Sequence, residues 1–354
     1  MSPTTSPNPS PSTPHILVTG GTGYIGSHTV VELIKEGYRV HILDNLSNSR
    51  EETLDRIEQI TGKRPEFTKL DVRDADALED HLSHHDYDGV IHFAALKSVG
   101  ESVRKPLEYY ENNVVGTLNL IRAMQSAGIP NLVFSSSCTV YGQPDTLPVT
   151  EETPLKPAQS PYGESKRICE AIIRDATTAE GAPETSRSVL LRYFNPVGAD
   201  PSGLIGELPT GVPDNLMPFI TQTAAGIRDE LQVFGNDYGT PDGTPVRDYI
   251  HVSDLARAHI RALEYMNSAE EPCSVFNVGT GEGYSVLEII QTFEKVNNLQ
   301  LPYRITERRP GDIEQIWANN EKALHTLKWS PQYGLKEMCQ TAWTWQQSLE
   351  ELDR

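Results

Sequence analysis

Gly20-x-x-Gly23-x-x-Gly26 lies between a short apolar run, residues 15–19, and a stretch, residues 24–36, in which Ile25, Val30, Val31 and Ile34 recur at helical spacing. A glycine turn that closes a buried strand and opens a helix restricts this chain more than any other feature. Glycine permits the tight turn and lets the backbone approach a pyrophosphate closely. The amides at the start of the helix then face the phosphates. Gly37 suits the residue after the helix. Residues 39–43 read as the next strand, ending at Asp44. A carboxylate there accepts from ribose hydroxyls and repels a 2′-phosphate, which favours NAD over NADP.

The alternation continues. Residues 88–93, 131–135 and 188–193 are apolar and strand-like, with helical stretches at 75–84, 106–127 and 161–180. This predicts an α/β fold of Rossmann type, a doubly wound parallel sheet with ligands at the carboxyl ends of its strands. Residues 195–245 are rich in Gly, Pro, Asn and Asp, and residues 250–265 look helical again. The expected organisation is a tail over 1–14, a dinucleotide-binding domain over 15–193 to which 246–265 return, and a smaller mixed α/β substrate domain over 194–354. The tail is Ser/Thr/Pro-rich, with neither charge nor an apolar core, so it reads as disordered and not as a secretory signal.

Net charge is −19, from 49 acidic and 30 basic residues. That argues against nucleic acid or an anionic membrane as partner, and an anionic substrate would need a local arginine cluster. No apolar run approaches the length of a membrane span. The four cysteines, Cys138, Cys169, Cys273 and Cys339, fit neither a zinc site nor a small disulfide framework. No metal is expected, and reduced thiols imply the cytoplasm.

Chemistry enters with Ser160-Pro161-Tyr162-Gly163-Glu164-Ser165-Lys166. Ser160 suits the N-cap and Pro161 the first helical position, so Tyr162 and Lys166, four apart, project from one helix face. A nearby ammonium and an oxidised nicotinamide would both favour phenolate, giving a base able to take a proton from a sugar hydroxyl. Ser137 follows the fifth strand. Asp71-Val72 follows the third; Val72 and Asp71 could hold the adenine edge, although Asp71 reads equally well as a solvated loop acid. Phe93, Ala94 and Ala95 follow the fourth strand, where small residues let a cofactor cross the sheet edge. Lys97 is open between cofactor contact and surface lysine.

Several stretches together carry a resemblance: Gly20-Gly21-Thr22-Gly23-Tyr24-Ile25-Gly26-Ser27-His28, Leu43-Asp44-Asn45-Leu46, Thr139-Val140-Tyr141-Gly142, Arg192-Tyr193-Phe194-Asn195-Pro196-Val197-Gly198 and Val246-Arg247-Asp248-Tyr249-Ile250-His251. With these the chain, from His15 to about residue 345, resembles the extended short-chain dehydrogenase/reductase family and, within it, the UDP-hexose 4-epimerases. The resemblance implies NAD-dependent interconversion of UDP-galactose and UDP-glucose, with hydride leaving C4, a 4-keto sugar turning over, and hydride returning to the opposite face. It implies Tyr162 as the base, Lys166 as the group that lowers its pKa and binds nicotinamide ribose, and Ser137 as a hydrogen-bond partner of the 4-hydroxyl. For the cofactor it adds Tyr24, Ile25, Asn45, Asn48, Ser49, Asn112 and Phe194. For UDP-sugar it implies Arg247 and Arg309 on the diphosphate, Asn195, Asn215 and Leu216 on sugar and phosphate, Val233 and Phe234 beside uracil, and Asp312 on the ribose. Asn195 also reads as a turn residue before Pro196, and Asp312 as a loop acid.

Two departures accompany the resemblance. Cys138 stands where alanine is common, and Ile316 holds a position where residue size gates N-acetylated sugars. A 4,6-dehydratase would need an Asp-Glu pair where this chain has Ser137-Cys138, and a non-catalytic NAD sensor would need no Tyr162, Lys166 and Ser137 together. Related proteins pair through two helices matching 106–127 and 161–180, which implies a homodimer.

Overall fold

The structure is a computed structural model that describes residues 13–309 and 313–352. The tail expected to be disordered therefore falls almost wholly outside the described residues, and so does Asp312. Strands β1 (His15–Thr19), β2 (Arg39–Asp44), β3 (Glu66–Lys69), β4 (Gly89–His92), β5 (Asn131–Ser135) and β6 (Arg187–Tyr193) join the strand Cys273–Val278 in one seven-stranded sheet. Every pairing in it is parallel, and the order from one edge is Cys273–Val278, β6, β5, β4, β1, β2, β3. The order reverses between β1 and β4, so a crevice opens at their carboxyl ends.

Two apolar cores flank the sheet. Val18, Ile42, Val133 and Leu191 pack on one side with helix α1 (Tyr24–Lys35) and helix Val252–Met266. Leu17, Val90, Leu132 and Phe134 pack on the other with helices Ala75–Ser83, Gly116–Ala127 and Pro161–Thr178. Side chains alternate between faces along each strand, and both faces are covered, so the strands read as unbroken apolar runs.

The remainder gathers around a separate core of Met217, Ile220, Val233, Tyr249, Ile290, Phe293 and Met338. Short strands frame it: Leu231–Phe234 pairs with Tyr303–Thr306, and Val246–Arg247 lies between Tyr284–Ser285 and Gln315–Ile316. The chain crosses between the two parts more than once, since both helix Val252–Met266 and strand Cys273–Val278 return to the large sheet. Among the described residues no helix is long and apolar enough to cross a membrane.

The stretch expected as one helix over 106–127 is three joined pieces: Pro106–Tyr109, a π-helical turn Tyr110–Val115, and Gly116–Ala127. A π turn rotates the residues that follow it and is found mostly at functional sites. Here it aims the buried Asn113 at the loop after β4. Asn113 Oδ1 accepts from Leu96 N at 2.8 Å, and its Nδ2 donates to Leu96 O and to Ser165 Oγ, each at 3.0 Å.

Candidate active site

The crevice at the switch point is a cleft of about 820 Å³. Its first wall is the glycine turn. Gly20 holds φ +73°, and a Cβ added there would lie 2.7 Å from Ala94 N; one added at Gly26 would lie 2.2 Å from Gly20 O. No side chain fits at either position, which leaves backbone as the wall. Gly23 caps α1 without a side-chain hydrogen bond, so the first amides of that helix keep their donors for a ligand.

Asp44 closes the far end of this wall. Its carboxylate accepts from Thr22 N at 3.2 Å, Leu46 N at 2.9 Å and Ser49 Oγ at 3.1 Å. A carboxylate has about four acceptor sites, so three fixed donors orient it and leave one for a hydroxyl. Asp71 does not line the cleft. Arg73 binds it at 2.7 Å and holds its carboxyl well below the usual range, while Asn45 Nδ2 donates to it at 2.9 Å. It thereby holds Asn45, which does line the cleft, and this hydrogen bond adds to the two readings of Asp71 made from the sequence. Val72, Asn48, Ser49, Phe93, Ala94, Ala95 and Asn112 do line the cleft, with Tyr24 and Ile25. This set fits a dinucleotide: glycine backbone and helix amides for pyrophosphate, Asp44 for ribose, and small residues where the chain must give way.

At the other end, the helix Pro161–Thr178 starts as its sequence dictates, with Ser160 Oγ accepting from Gly163 N and Pro161 at the first position. Tyr162 and Lys166 share one face and both line the cleft. Ser137 stands beside the Tyr162 phenol as its hydrogen-bond partner and is itself fixed by Thr139, whose N and Oγ1 donate to Ser137 Oγ at 3.2 and 3.0 Å. Lys166 Nζ donates to Ser135 O at 2.7 Å and lies 4.8 Å over the Phe134 ring. Burial brings its amine down to about 8.

Burial opposes the lowered Tyr162 pKa expected from the ammonium and an oxidised nicotinamide. Burial pushes the phenol well up, the Tyr193 phenol adds to the effect, and Ser137 offsets only part of it. The physical reason is desolvation by the surrounding protein, while the nearby ammonium is held by the Ser135 carbonyl.

Behind these groups lies a network that sequence reasoning missed. Arg192 donates to Glu170 from Nε at 2.9 Å and from Nη2 at 2.6 Å, and Ser136 Oγ donates to Glu170 at 2.6 Å. Arg192 is 3% exposed and Glu170 1%. The network ties the helix that carries Tyr162 to the loop that carries Ser137. A helical glutamate and a strand arginine announce nothing by themselves; only the helical period, which puts Glu170 on the inward face with Tyr162 and Lys166, hinted at it.

The expected substrate contacts are spread more widely. Asn215 lines the cleft and donates to Glu207 at 2.8 Å; Lys97 reaches the same Glu207 oxygen at 2.7 Å. Lys97, which also lines the cleft, thus joins the two parts of the chain. Glu207 lies in a Gly/Pro-rich stretch with no periodic signal, and it went unnoticed in the sequence. Asn195, Leu216, Val233, Phe234, Arg247 and Arg309 lie outside the walls of this cleft. Arg309 stacks 4.3 Å over the Phe234 ring, and the Arg247 charge acts on the neighbouring Cys138 thiol. The Val233 side chain is wholly buried in the separate core, so it is the backbone of this segment that can face a base. Phe194 is buried with Val140, Tyr141 and Ile316 and backs the site without lining the cleft.

Comparisons with known proteins agree with this geometry. A family model described as GDP-mannose 4,6 dehydratase matches residues 17–342. UDP-glucose 4-epimerase of Bacillus subtilis (strain 168) is 53% identical over 334 residues, 94% of this chain and 97% of that protein. The crystal structure of UDP-glucose 4-epimerase from Stenotrophomonas maltophila with bound NAD and formylated UDP-arabinopyranose superposes with a TM-score of 0.91 at 48% identity, covering 96% of this chain and 99% of that one. The enzyme from Bifidobacterium longum in complex with NAD+ and UDP gives 0.90 at 48% identity, covering 94% and 98%. By sequence over nearly its whole length and by fold, this chain belongs to the UDP-glucose 4-epimerase family of extended short-chain dehydrogenase/reductases.

Proposed function

We propose that this chain is an NAD-dependent isomerase that interconverts UDP-galactose and UDP-glucose at sugar C4. The observation that carries this reading is that Tyr162, with Ser137 as its hydrogen-bond partner, and Lys166 stand at one end of a cleft whose other end is a glycine turn with the fixed Asp44 carboxylate. NAD, when bound, supplies the acceptor and then the donor of the C4 hydride and, in its oxidised form, a positive charge that favours phenolate. The glycine turn and the first amides of α1 hold pyrophosphate, and Asp44 holds ribose. Tyr162 accepts the proton of the 4-hydroxyl in the first half of the reaction and gives it back in the second. Ser137 hydrogen-bonds that hydroxyl and keeps the phenol aimed at it. Lys166 contributes its charge from the Ser135 carbonyl and binds nicotinamide ribose.

The diphosphate is held by Arg247 and Arg309, whose forked donors suit phosphate oxygens and offset the net charge locally. Asp312 serves the uridine ribose in this reading. The dehydratase alternative suggested by the name of the matching family model lacks support in the residues: Ser137-Cys138 offers no carboxylate for proton transfer at C5. The thiol of Cys138 is pushed up to about 12 by burial and is not a substitute acid–base group.

The test is conversion of UDP-galactose to UDP-glucose by purified protein with no NAD added, read by separating the two nucleotide sugars. Turnover is expected, because the buried cleft retains its cofactor. Failure of turnover even with NAD supplied would overturn the assignment.

The protein also works as a homodimer in this reading, in the reducing cytoplasm that its four free cysteines suit. Val99, Val103, Leu107 and Val115, on the successive short helical pieces Val99–Arg104, Pro106–Tyr109 and Tyr110–Val115, are 47%, 63%, 80% and 42% exposed. Such a surface beside helix Pro161–Thr178 suits burial against a second copy. Light scattering is expected to give twice the chain mass, and Leu107→Glu to give the monomer.

A further inference from the structure

Toward the amino ends of β1, β2 and β4, away from the cleft at the carboxyl ends, four imidazoles crowd around Tyr87. His15 opens β1, His41 lies in β2, His81 sits in helix Ala75–Ser83, and His85 lies just beyond that helix. Ring centroids are 4.9 Å apart for His41 and His81, 5.2 Å for His41 and His85, and 4.4 Å for His81 and His85. One ligand nitrogen from each of these three lies within 4.8 Å of the other two, and His15, His41 and Glu66 make a second such set that shares His41. The proposed reaction uses none of them.

The hydrogen bonds fix what each ring offers. His85 Nδ1 lies 2.7 Å from His81 O, and His15 Nδ1 lies 3.1 Å from Asp86 O. Carbonyls only accept, so each Nδ1 carries the proton and each Nε2 presents a lone pair. His15 Nε2 is buried with no hydrogen-bond partner at all. His41 Nε2 is engaged with Thr68 Oγ1 at 2.8 Å, which leaves Nδ1 to face the cluster. The Tyr87 hydroxyl lies 2.8 Å from His41 Nδ1 and 3.0 Å from His81 Nε2, and one hydroxyl can donate to only one of them. Burial brings His41 and His81 down to about 4, so both are neutral near pH 7, the form that ligates metals.

An imidazole whose Nδ1–H is tied to a carbonyl while Nε2 points into a cluster is the arrangement of a histidine ligand. His81 in the last turn of its helix, His85 just past that helix and His41 from a neighbouring strand bring three imidazole nitrogens to one point. We propose that His41, His81 and His85 form a binding site for a divalent transition metal of the zinc class, with His15 and Glu66 on its deeper side. Three imidazoles suit zinc, nickel or copper over magnesium or calcium. Zn–N bonds of about 2.0–2.1 Å bring tetrahedral ligands to roughly 3.4 Å from one another. The rings must therefore draw in by about an ångström, and His85, half-buried at the end of its helix, has room to do so. The ion would tie β2 to the end of helix Ala75–Ser83 and take no part in the reaction. This goes beyond the absence of any metal expected from the cysteines.

The test uses the full chain, dialysed against EDTA and titrated with Co²⁺ and then Zn²⁺, beside His85→Ala and His84→Ala. One Co²⁺ per chain is expected, with the strong visible absorption of a four-coordinate ion, displaced by Zn²⁺; Zn²⁺ should also raise the unfolding temperature. His85→Ala is expected to bind at least tenfold more weakly while unfolding at the wild-type temperature in EDTA. His84→Ala, which removes an exposed neighbour outside the cluster, should bind like the wild type. Absence of stoichiometric binding by the wild type, or equal binding by His85→Ala, would overturn the site.

Discussion

Replacing Tyr162 with phenylalanine is expected to lower turnover of UDP-galactose by about a hundred- to ten-thousandfold, the range for loss of a positioned general acid–base. The change removes one oxygen from a ring that is 6% exposed, so the packing of the helix start is kept. The effect should fall on kcat, because the proposed substrate contacts, Arg247 and Asn215 among them, remain. The measurement is the steady-state rate of the variant together with its NAD content by absorbance after denaturation. Turnover within tenfold of wild type, with NAD retained, would remove Tyr162 from the chemistry and leave Ser137 as the sole candidate.

Glu170→Ala should cost about 3–5 kcal/mol of folding stability, as expected when one partner of a buried ion pair is removed. The remaining guanidinium of Arg192 would be left among apolar neighbours with only Tyr141 OH, at 3.2 Å, to receive a bond. In the intact protein the Glu170 bonds outweigh burial and hold Arg192 firmly charged. Ser136 would also lose its acceptor, freeing the loop next to Ser137. The urea midpoint reports the first effect and kcat the second; both should fall. A loss below about 1 kcal/mol, the range of an exposed pair, would mean that water reaches Arg192 and that the network does not brace the site.

The two variants probe features of different legibility. Local chemistry announced the glycine turn, the strand ending at Asp44 and the helix capped by Ser160, because φ > 0, capping and helical period depend on residues close in sequence. The bounds of β1 and β5 and the start of α1 follow directly from it. The pairing of Tyr162 with Lys166 also needed only an i, i+4 rule. Glu170 and Arg192 lie on the same helix and a following strand, but nothing in their spacing says that they meet.

What the sequence by itself determined is therefore the order of strands and helices, the glycine turn and the Tyr162–Lys166 pair on one helix face, all carried by contacts within a few residues. Only the tertiary structure decided that Cys273–Val278 completes the sheet, that Glu207 joins Lys97 to Asn215, and that four histidines from separate elements share one corner. It also decided the direction of the Tyr162 shift. Charge and burial at a point sum over everything nearby in space, and chain segments far apart in sequence supply most of it. A local pattern can place a phenol and an ammonium on one helix face, but the Ser135 carbonyl, the Tyr193 ring and the loss of water around them come from other strands.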